Sequence, residues 1–247
     1  MMVEFELVLP CYNESKNLRA IVERAITAAQ LNGMSPETFR LVLVQNGSVD
    51  DSKAILEKLS REPQIGQWFR VVNLEVNQGY GYGLWEGLKT TTAKFVGWSH
   101  ADQQTDPGDA FRALKILKNS SELNGHVLVK GVRKGRSLKE RIVSRVFELF
   151  AWFYLGHFFY EINAQPKVFE RSLLKVVSNP PRDFAFDLYF LYCAVKAGYE
   201  IKHIPVVFPP RLHGLSNWAY SLKSRFRTIL GMIKYMKMLR QTEGRLG

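Results

Sequence analysis

The segment His100-Ala101-Asp102-Gln103-Gln104 carries side chains that suit a divalent metal ion. Asp102 supplies a carboxylate, and His100 and Gln104, two residues to either side, supply a nitrogen and an oxygen ligand. Mg²⁺ usually takes one or two protein carboxylates together with substrate phosphates, whereas Mn²⁺ accepts a histidine more readily. The same residues can instead be a helix cap and an ordinary polar side chain. The neighbouring segments favour the metal site.

Two further polar clusters lie, like this one, directly after an apolar segment. The three clusters are Cys11–Glu14, Gln45–Ser48 and His100–Asp102. Strand-like and helix-like patterns alternate about every 25 to 35 residues, which indicates βαβ units around a parallel sheet. Ligands of such sheets bind at the carboxyl ends of the strands. The coincidence predicts a nucleotide-binding edge at which Asp102 holds the metal.

The same patterns predict the individual elements of an α/β fold. Strands are expected over residues 5–10, 39–44, 69–74, 95–98, 127–129 and 201–208. Helices are expected after residues 13–15 and 50–52, and over residues 84–89, 146–160 and 221–240. The basic segment Lys130–Arg136 is expected to be a loop that follows the fifth strand.

Residues 77–83 are rich in glycine, and Gly87 follows them. The segment is a poor dinucleotide fingerprint, because it follows the third strand rather than the first. In addition, no acidic residue ends a strand about 20 residues later. Two interpretations stay open. The glycines serve a tight turn and close helix packing, or they form a loop that includes Gly79 and lies against a bound donor.

Several charged residues are candidates for contact with substrate. Five arginines present the forked donor that matches phosphate oxygens, namely Arg133, Arg136, Arg141, Arg145 and Arg211. A solvated basic face is the alternative interpretation, most of all for Arg145. Asp187 lies among large apolar residues, and is therefore either a paired core acid or a general base.

Composition limits the class of partner and the compartment. The net charge is +11, and the excess lies in residues 130–145 and 223–245, which favours anionic partners. Nucleic acid is not expected, because aromatic and basic residues do not alternate on a predicted sheet face. There is no spanning apolar stretch and no signal-peptide pattern, and the two cysteines fit a reducing compartment. We therefore expect a cytoplasmic protein.

Residues 221–240 have the pattern of a basic amphipathic helix. One face carries Phe226, Ile229, Leu230, Ile233 and Met236. Such a helix would lie in the headgroup plane of an anionic membrane, which predicts peripheral attachment at the inner membrane face. A helix packed on the domain, or an oligomer contact, is the alternative. The expected division is a domain at residues 1–220 and a tail at residues 221–247.

Taken together and in order, these motifs resemble family 2 glycosyltransferases, and within them the dolichol-phosphate mannosyltransferase-like branch. The resemblance covers roughly residues 5–218. It rests on Pro10-Cys11-Tyr12-Asn13-Glu14, Gln45-Asn46-Gly47-Ser48-Val49-Asp50, the glycines at 79, 81 and 87 with Asn77, the His100, Asp102 and Gln104 element, Phe186-Asp187, and Arg211-x-x-Gly214-x-Ser216.

The resemblance implies a GT-A fold, in which helices flank a mostly parallel central sheet, with the amphipathic helix at the C-terminus. It also implies inverting transfer from a UDP- or GDP-linked sugar with a divalent metal, Mn²⁺ or Mg²⁺. By position, the nucleotide pocket would be lined by Pro10, Tyr12, Glu14 and Asn46. Asp102 and Gln104 would bind the metal and diphosphate, and Arg133 and Arg211 would handle phosphates, with Ser216 beside them at the donor site.

Four positions depart from the family pattern. Gln45 and Asn46 stand where acids are usual, and an amide donates hydrogen bonds as well as accepting them, which leaves the nucleobase open. His100 replaces the first acid of the metal element, so the site has one negative charge fewer. Asn217 replaces a lysine near the acceptor.

The chemical nature of the acceptor decides which residues would take part in catalysis. A polyprenyl phosphate is already an anion and needs no general base, so arginines such as Arg133 and Arg211 would only orient it. A sugar hydroxyl on a glycan needs a base, for which Asp187 is the candidate. The basic segments favour the lipid phosphate. A catalytically silent member that binds a nucleotide-sugar or a partner protein is the alternative from another class.

Overall fold

The computed structural model describes residues 3–121, 126–209 and 222–246. Its strands form one sheet with the order β3-β2-β1-β4-β6-β5-β7. They are β1 (Phe5–Cys11), β2 (Phe39–Asn46), β3 (Phe69–Leu74), β4 (Phe95–Trp98), β5 (Val127–Lys134), β6 (Lys167–Glu170) and β7 (Glu200–Val207). The helices of these ranges are α1 (Leu18–Leu31), α2 (Ser52–Ser60), α3 (Pro63–Gly66), α4 (Tyr80–Lys89), α5 (Pro107–Ser121), α6 (Leu138–Leu155), α7 (Phe186–Lys196) and α8 (Leu222–Glu243). A 3₁₀ helix spans Arg171–Val176.

The sheet is parallel except for one strand. β3, β2, β1 and β4 pair in parallel, and β6 is antiparallel to both β4 and β5. β5 in turn pairs in parallel with β7. Every strand other than β6 therefore ends at the same edge, which we call the carboxyl edge. The predicted α/β class, with helices on both faces of a mostly parallel sheet, is confirmed.

Alternating side chains divide the core between the two faces of the sheet, as the period of a strand requires. Phe5, Leu7 and Leu9 of β1 pack in the cluster that also contains residues of α1 and α5. Val8 of β1 points the other way, into the cluster shared with α4, α6, α7 and α8. Both clusters are almost fully buried. The central strands are thus apolar on both faces, so their polar residues are confined to the ends.

Two predicted boundaries are wrong in a way that affects the candidate site. The segment expected as a basic loop is mostly strand, because β5 continues to Lys134 and pairs with β7 over its full length. The helix expected at residues 146–160 spans Leu138–Leu155 instead. It begins with a capping box between Ser137 and Glu140, and it ends at Gly156 in the left-handed conformation.

The glycine-rich segment is helical for most of its length, since α4 begins at Tyr80. A Cβ on Gly87 would lie 2.5 Å from Cγ2 of Val44 and 2.7 Å from Cγ1 of Val8. Residue 87 must therefore lack a side chain for α4 to lie against β1 and β2. This contact supports the helix-packing interpretation of the glycines.

The C-terminal helix α8 packs on the rest of the domain. Met232, Met236 and Leu239 are at most 6% exposed and belong to the core cluster of α6 and α7. The face expected from the sequence is therefore only partly the buried one, because it includes Leu230, which is 50% exposed. The division at residue 220 stays a prediction. Within the described ranges, no helix has both the length and the apolar character needed to span a bilayer.

The packing of α4 predicts the effect of one methyl group. Gly87→Ala should lower the free energy of unfolding by about 1–3 kcal/mol, because the new Cβ overlaps two valines. Gly231→Ala in α8 is the matched control, since its Cβ would meet nothing within 4 Å. Alanine there should stabilise the protein by up to about 1 kcal/mol. Urea denaturation of both variants checks this, and equal effects would contradict the close contact.

Candidate active site

Parallel pairing brings the three predicted polar clusters to the carboxyl edge. Cys11 of β1 pairs with Gln45 of β2, and Val8 of β1 pairs with Trp98 of β4. The chain leaves β4 at Ser99, whose N–H still donates to the carbonyl of Val8 (3.1 Å). The residues that follow each strand therefore meet in space, as the sequence indicates.

Reciprocal hydrogen bonds tie the loop after β1 to the loop after β2. Asn13, which has a φ of 56°, donates from its N–H to Ser48 Oγ (3.1 Å), and its Oδ1 accepts from the N–H of Val49 (2.9 Å). The Ser15 N–H donates to Asp50 Oδ2 (3.1 Å). Burial opposes the charged form of Asp50, but hydrogen bonds from Ser52 and Ser15 outweigh it and lower the pKa. These bonds hold the half-buried Pro10, Tyr12 and Glu14 at the edge.

Asn46 has a structural partner that explains why an amide stands there. Its Nδ2 donates to the carbonyl of Gly79 (3.1 Å), and the residue is only 3% exposed. A carboxylate at this position would face that carbonyl oxygen without a proton to donate. Asn46 thus anchors the segment before α4, and Gly79 adopts a φ of 115° at that point. Nucleotide contacts of Asn46 and Gly79 stay predictions.

A chain of side-chain hydrogen bonds links the loop after β1 to the metal element. Glu14 Oε2 accepts from Asn17 Nδ2 (2.6 Å), and Asn17 Oδ1 accepts from Gln103 Nε2 (3.0 Å). Gln103 has a φ of 63°, which turns the chain sharply beside Asp102. Sequence reasoning missed Asn17 and Gln103; the spacing of Glu14 and Asn17 at i and i+3 was the available signal.

Asp102 is 4% exposed at the end of β4, and its Oδ1 accepts from the N–H of Gln104 (3.1 Å). Gln104 Nε2 donates to the carbonyl of Pro209, just after β7 (3.0 Å). His100 is half-buried, and its ring centroid lies 6.3 Å from that of Tyr80. The three predicted metal ligands therefore lie in one loop at the carboxyl edge, with one carboxylate among them, and their role as metal ligands stays a prediction.

Tyr80 is a buried residue whose hydroxyl accepts a hydrogen bond from Gln165 Nε2 (3.4 Å), and sequence reasoning did not single it out. Burial is the main cause that raises the pKa of its hydroxyl well above the usual value, and the charges of Asp187 and Asp102 add to it. The Tyr80 ring stacks on Phe184 with centroids 5.5 Å apart. The hydroxyl therefore stays protonated at neutral pH, and it can donate a hydrogen bond near both acids.

Asp187 is an ion-paired residue beneath the edge. It is 3% exposed, and its Oδ1 accepts from Gln165 Nε2 (2.9 Å) and from the ammonium of Lys167. Lys167 is fully buried, which lowers its pKa, and the Asp187 charge opposes that shift. These contacts are those of a paired core acid, and a general-base role stays a prediction. Nothing in the sequence marked Lys167 as the partner.

Lys130, Arg133 and Arg136 of the basic segment make polar contacts inside the protein. Lys130 is 1% exposed, and its ammonium donates to the carbonyls of Gly131, Tyr160 and Glu161 (2.7–3.0 Å). Glu161 pairs with Arg133 (2.6 Å) and Arg136 (2.8 Å). Burial opposes the charge of Glu161, but the two arginines outweigh it and lower its pKa. Phosphate contact by Arg133 stays a prediction, and Arg211 and Ser216 lie outside the described residues.

A cavity of about 430 Å³ lies at the opposite edge of the sheet. It is lined in part by Lys89, Lys94, Arg171 and Lys175. The residues that line it do not include any predicted site residue, so the carboxyl edge remains the candidate active site.

The fold is that of the GT-A glycosyltransferases. Mannosyl-3-phosphoglycerate synthase from Rubrobacter xylanophilus has a TM-score of 0.71 at 19% identity, with 99% of this chain and 76% of that chain covered. Glucosyl-3-phosphoglycerate synthase from Mycobacterium tuberculosis, solved with Mn²⁺, UDP and glucosyl-3-phosphoglycerate, has a TM-score of 0.65 at 15% identity. That match covers 99% of this chain and 81% of the synthase. At these identities the likeness establishes the fold.

The family model described as Glycosyl transferase family 2 matches residues 6–176. The chain belongs to this family and is a glycosyltransferase, which confirms the resemblance inferred from the motifs. A dodecaprenyl-phosphate galacturonate synthase of Rhizobium johnstonii is 27% identical over 244 residues, or 96% of this chain and 68% of that protein. An uncharacterized glycosyltransferase of Mycobacterium tuberculosis is 25% identical over 232 residues, covering 92% of this chain and 95% of that protein.

The pairing of Glu161 predicts a pH-dependent loss of stability. Glu161→Gln should lower the free energy of unfolding at pH 7 by about 3 kcal/mol, because two mostly buried guanidinium groups lose their counter-ion. The folded-state pKa of Glu161 lies below the unfolded one, so its contribution is present above about pH 4.3 and is lost as the pH falls further.

Urea denaturation of wild type and variant at pH 7, 5 and 3.5 checks this. The stability difference should shrink at the lowest pH. Glu200→Gln is the control, because Glu200 is exposed and its oxygen lies 3.8 Å from Lys202, so the change should cost less than about 1 kcal/mol. A constant difference across the three pH values would contradict the assignment.

Proposed function

We propose that this glycosyltransferase moves a sugar, with inversion, from a UDP- or GDP-linked donor to a polyprenyl phosphate. The observation that carries the proposal is the meeting of three polar strand ends at the carboxyl edge, with Asp102 buried among them. Ligands of parallel sheets bind at such an edge. The relative from Rhizobium johnstonii, named for a dodecaprenyl-phosphate product, supports the acceptor class.

The proposed nucleotide pocket uses residues that the structure already holds in place. Pro10, Tyr12 and Glu14 lie at the end of β1, and hydrogen bonds through Asn13 and Asn17 fix that loop. Asn46 lies on the neighbouring strand. Because these contacts are made within the protein, the pocket is preorganised and ordering it on donor binding costs little.

The residues present fit a divalent cation that takes some of its ligands from the protein and the others from the donor phosphates. Among the described residues, no three His, Cys, Asp or Glu side chains cluster as a metal site. Asp102 would contribute one carboxylate, with His100 and Gln104 beside it, and Mg²⁺ commonly takes its remaining ligands from substrate phosphates and water. A histidine in the set favours Mn²⁺. Bound there, the cation would supply Lewis-acid stabilisation of the leaving diphosphate.

The surroundings of Asp187 favour an acceptor that needs no base. Its carboxylate already accepts hydrogen bonds from Lys167 and Gln165 in a buried position. Taking a proton from a sugar hydroxyl would remove the counter-ion of a buried ammonium group, which is costly. A lipid phosphate attacks as an anion and avoids that step. Transfer to a sugar hydroxyl with Asp187 as the base remains the competing hypothesis.

The proposed acceptor places the reaction at the surface of a membrane. A polyprenyl chain is held in the bilayer, so its phosphate lies at headgroup depth. We propose that the enzyme works at the cytoplasmic face, attached peripherally, and that anionic lipids attract its net charge of +11.

Donor binding should stabilise the folded protein. A thermal-shift screen of UDP, GDP and their sugars should show a rise in Tm with Mn²⁺, because a ligand bound only to the native state stabilises it by about 2.7 kcal/mol at a hundredfold excess over Kd. Asp102→Ala should abolish the rise. Glu57→Ala, at an exposed carboxylate of α2, should keep it. If no nucleotide raised the Tm of the wild-type protein, the proposed donor site would be contradicted.

The acceptor class can be tested with two lipids that differ only in the phosphate. With a radiolabelled donor, undecaprenyl phosphate should yield a labelled lipid, whereas undecaprenol should yield at least about a hundredfold less, since a neutral alcohol needs the general base that this proposal omits. Lipid extraction and scintillation counting measure both. Equal transfer to the alcohol would favour the hydroxyl mechanism with Asp187.

A further inference from the structure

Helix α6 carries an apolar face whose side chains are exposed in the described part of the chain. Eight of its apolar side chains are between 38% and 69% exposed, namely Leu138, Ile142, Val143, Val146, Leu149, Phe150, Trp152 and Phe153. At about 100° per residue they occupy roughly half of the helix circumference. Single exposed apolar residues are ordinary on a protein surface, but a continuous stripe of this length marks an interaction site.

The other face of α6 already has its packing partners. Ala151 and Leu155 are fully buried in the same core cluster as Met232 and Met236 of α8. The N–H of Leu246 donates to the carbonyl of Leu155 (2.8 Å), which fixes the end of the chain against the same side of α6. The helix is thus anchored firmly through one half, and the exposed half is presented to a partner.

Cations rather than acids accompany the exposed face. Arg141 is exposed, and Arg145 is 50% exposed with its guanidinium over the rings of Phe158 (5.4 Å) and Tyr160 (5.1 Å). Of the two acids of α6, Glu140 caps the first turn through Ser137, and Glu148 is 2% exposed beneath Arg145 (3.0 Å). An apolar stripe with a positive border is complementary to an anionic lipid surface.

A second copy of the chain fits this face less well. The exposed face of α6 offers no acid to pair with Arg141 of a second copy, because Glu140 caps the first turn and Glu148 is buried beneath Arg145. Trp152 is also of a residue type that favours the boundary between headgroups and acyl chains. The chemistry of the face therefore selects a bilayer as its partner.

The position of α6 relates this face to the carboxyl edge. β5 is parallel to β4, because β6 is antiparallel to both, so β5 ends at Lys134 on the same edge as Asp102. α6 begins at Leu138, directly after that end. A membrane that contacts α6 would therefore lie next to the edge at which the sugar is transferred.

We propose that α6, rather than the basic helix α8, docks the enzyme on an anionic membrane by burying its exposed apolar face among the headgroups and upper acyl chains. The choice of a lipid partner rests on the proposed function, which needs a lipid-held acceptor. The docking itself is a physical property that can be measured without any substrate.

The test compares purified full-length protein and variants in sedimentation with vesicles of phosphatidylcholine containing phosphatidylglycerol. The double variant Leu149→Ser and Phe153→Ser should bind roughly tenfold more weakly or worse, since two apolar anchors are lost. Leu230→Ser with Met238→Ser, on the exposed side of α8, is the matched control and should bind like wild type. Arg141→Gln, at an exposed arginine of α6, should weaken binding by about fivefold, and only with the anionic lipid.

All four changed apolar residues are exposed, so unaltered circular dichroism and Tm should accompany the binding results. Unchanged vesicle binding by the α6 double variant would overturn the proposal. The proposal would also be overturned if the wild-type protein did not bind vesicles but eluted as a dimer, and the α6 double variant eluted as a monomer. The Mn²⁺-dependent thermal shift with UDP or GDP in the α6 variant reports separately on the donor site, so its failure would count against the proposed function and not against docking.

Discussion

Parallel pairing of β2, β1 and β4 is the constraint on which the candidate site depends. These strands are buried on both faces, so a polar side chain within them would have to be paired or desolvated. The polar residues are therefore confined to the strand ends, which parallel pairing places side by side. The loops that follow are then fixed by mutual hydrogen bonds, through Asn13 with Ser48 and through Asn17 with Gln103. Asp102 owes its position to this arrangement.

Beneath and beside that edge the protein buries several charges, each with a partner. Lys167 pairs with Asp187, and Glu161 pairs with Arg133 and Arg136. Removing one member of such a set leaves a desolvated charge, so these groups act together. The consequence for function is that much of the basic segment of β5 is used within the fold. In our proposal, contact with an anionic membrane is made instead by the exposed Arg141 and the exposed apolar side chains of α6.

Local patterns predicted most strands and the positions of the polar clusters, because apolar runs in a parallel sheet are continuous and end abruptly. They failed where a distant segment decided the structure. Among the longer elements, β6, α5 and α7 were missed. The predicted β5 ended too early, at residue 129, because Lys130 is polar. In the structure the ammonium of Lys130 is buried and donates to the carbonyls of residues 131, 160 and 161. The glycines of α4 favour a loop by propensity, but contact with Val8 and Val44 selects helix.

The sequence by itself determined the α/β class, the family and the set of side chains at the carboxyl edge, since these follow from periodicity and from motifs read in order. Only the tertiary structure decided which charged side chains are paired inside the protein and which are exposed to a ligand. It paired Asp187 with Lys167 and turned Asn46 toward Gly79. It also buried Met232, Met236 and Leu239 of α8 in the core, while one apolar face of α6 stayed exposed. Both α6 and α8 carry apolar and basic residues in the sequence. Which of two such helices is covered depends on long-range packing that no local pattern contains.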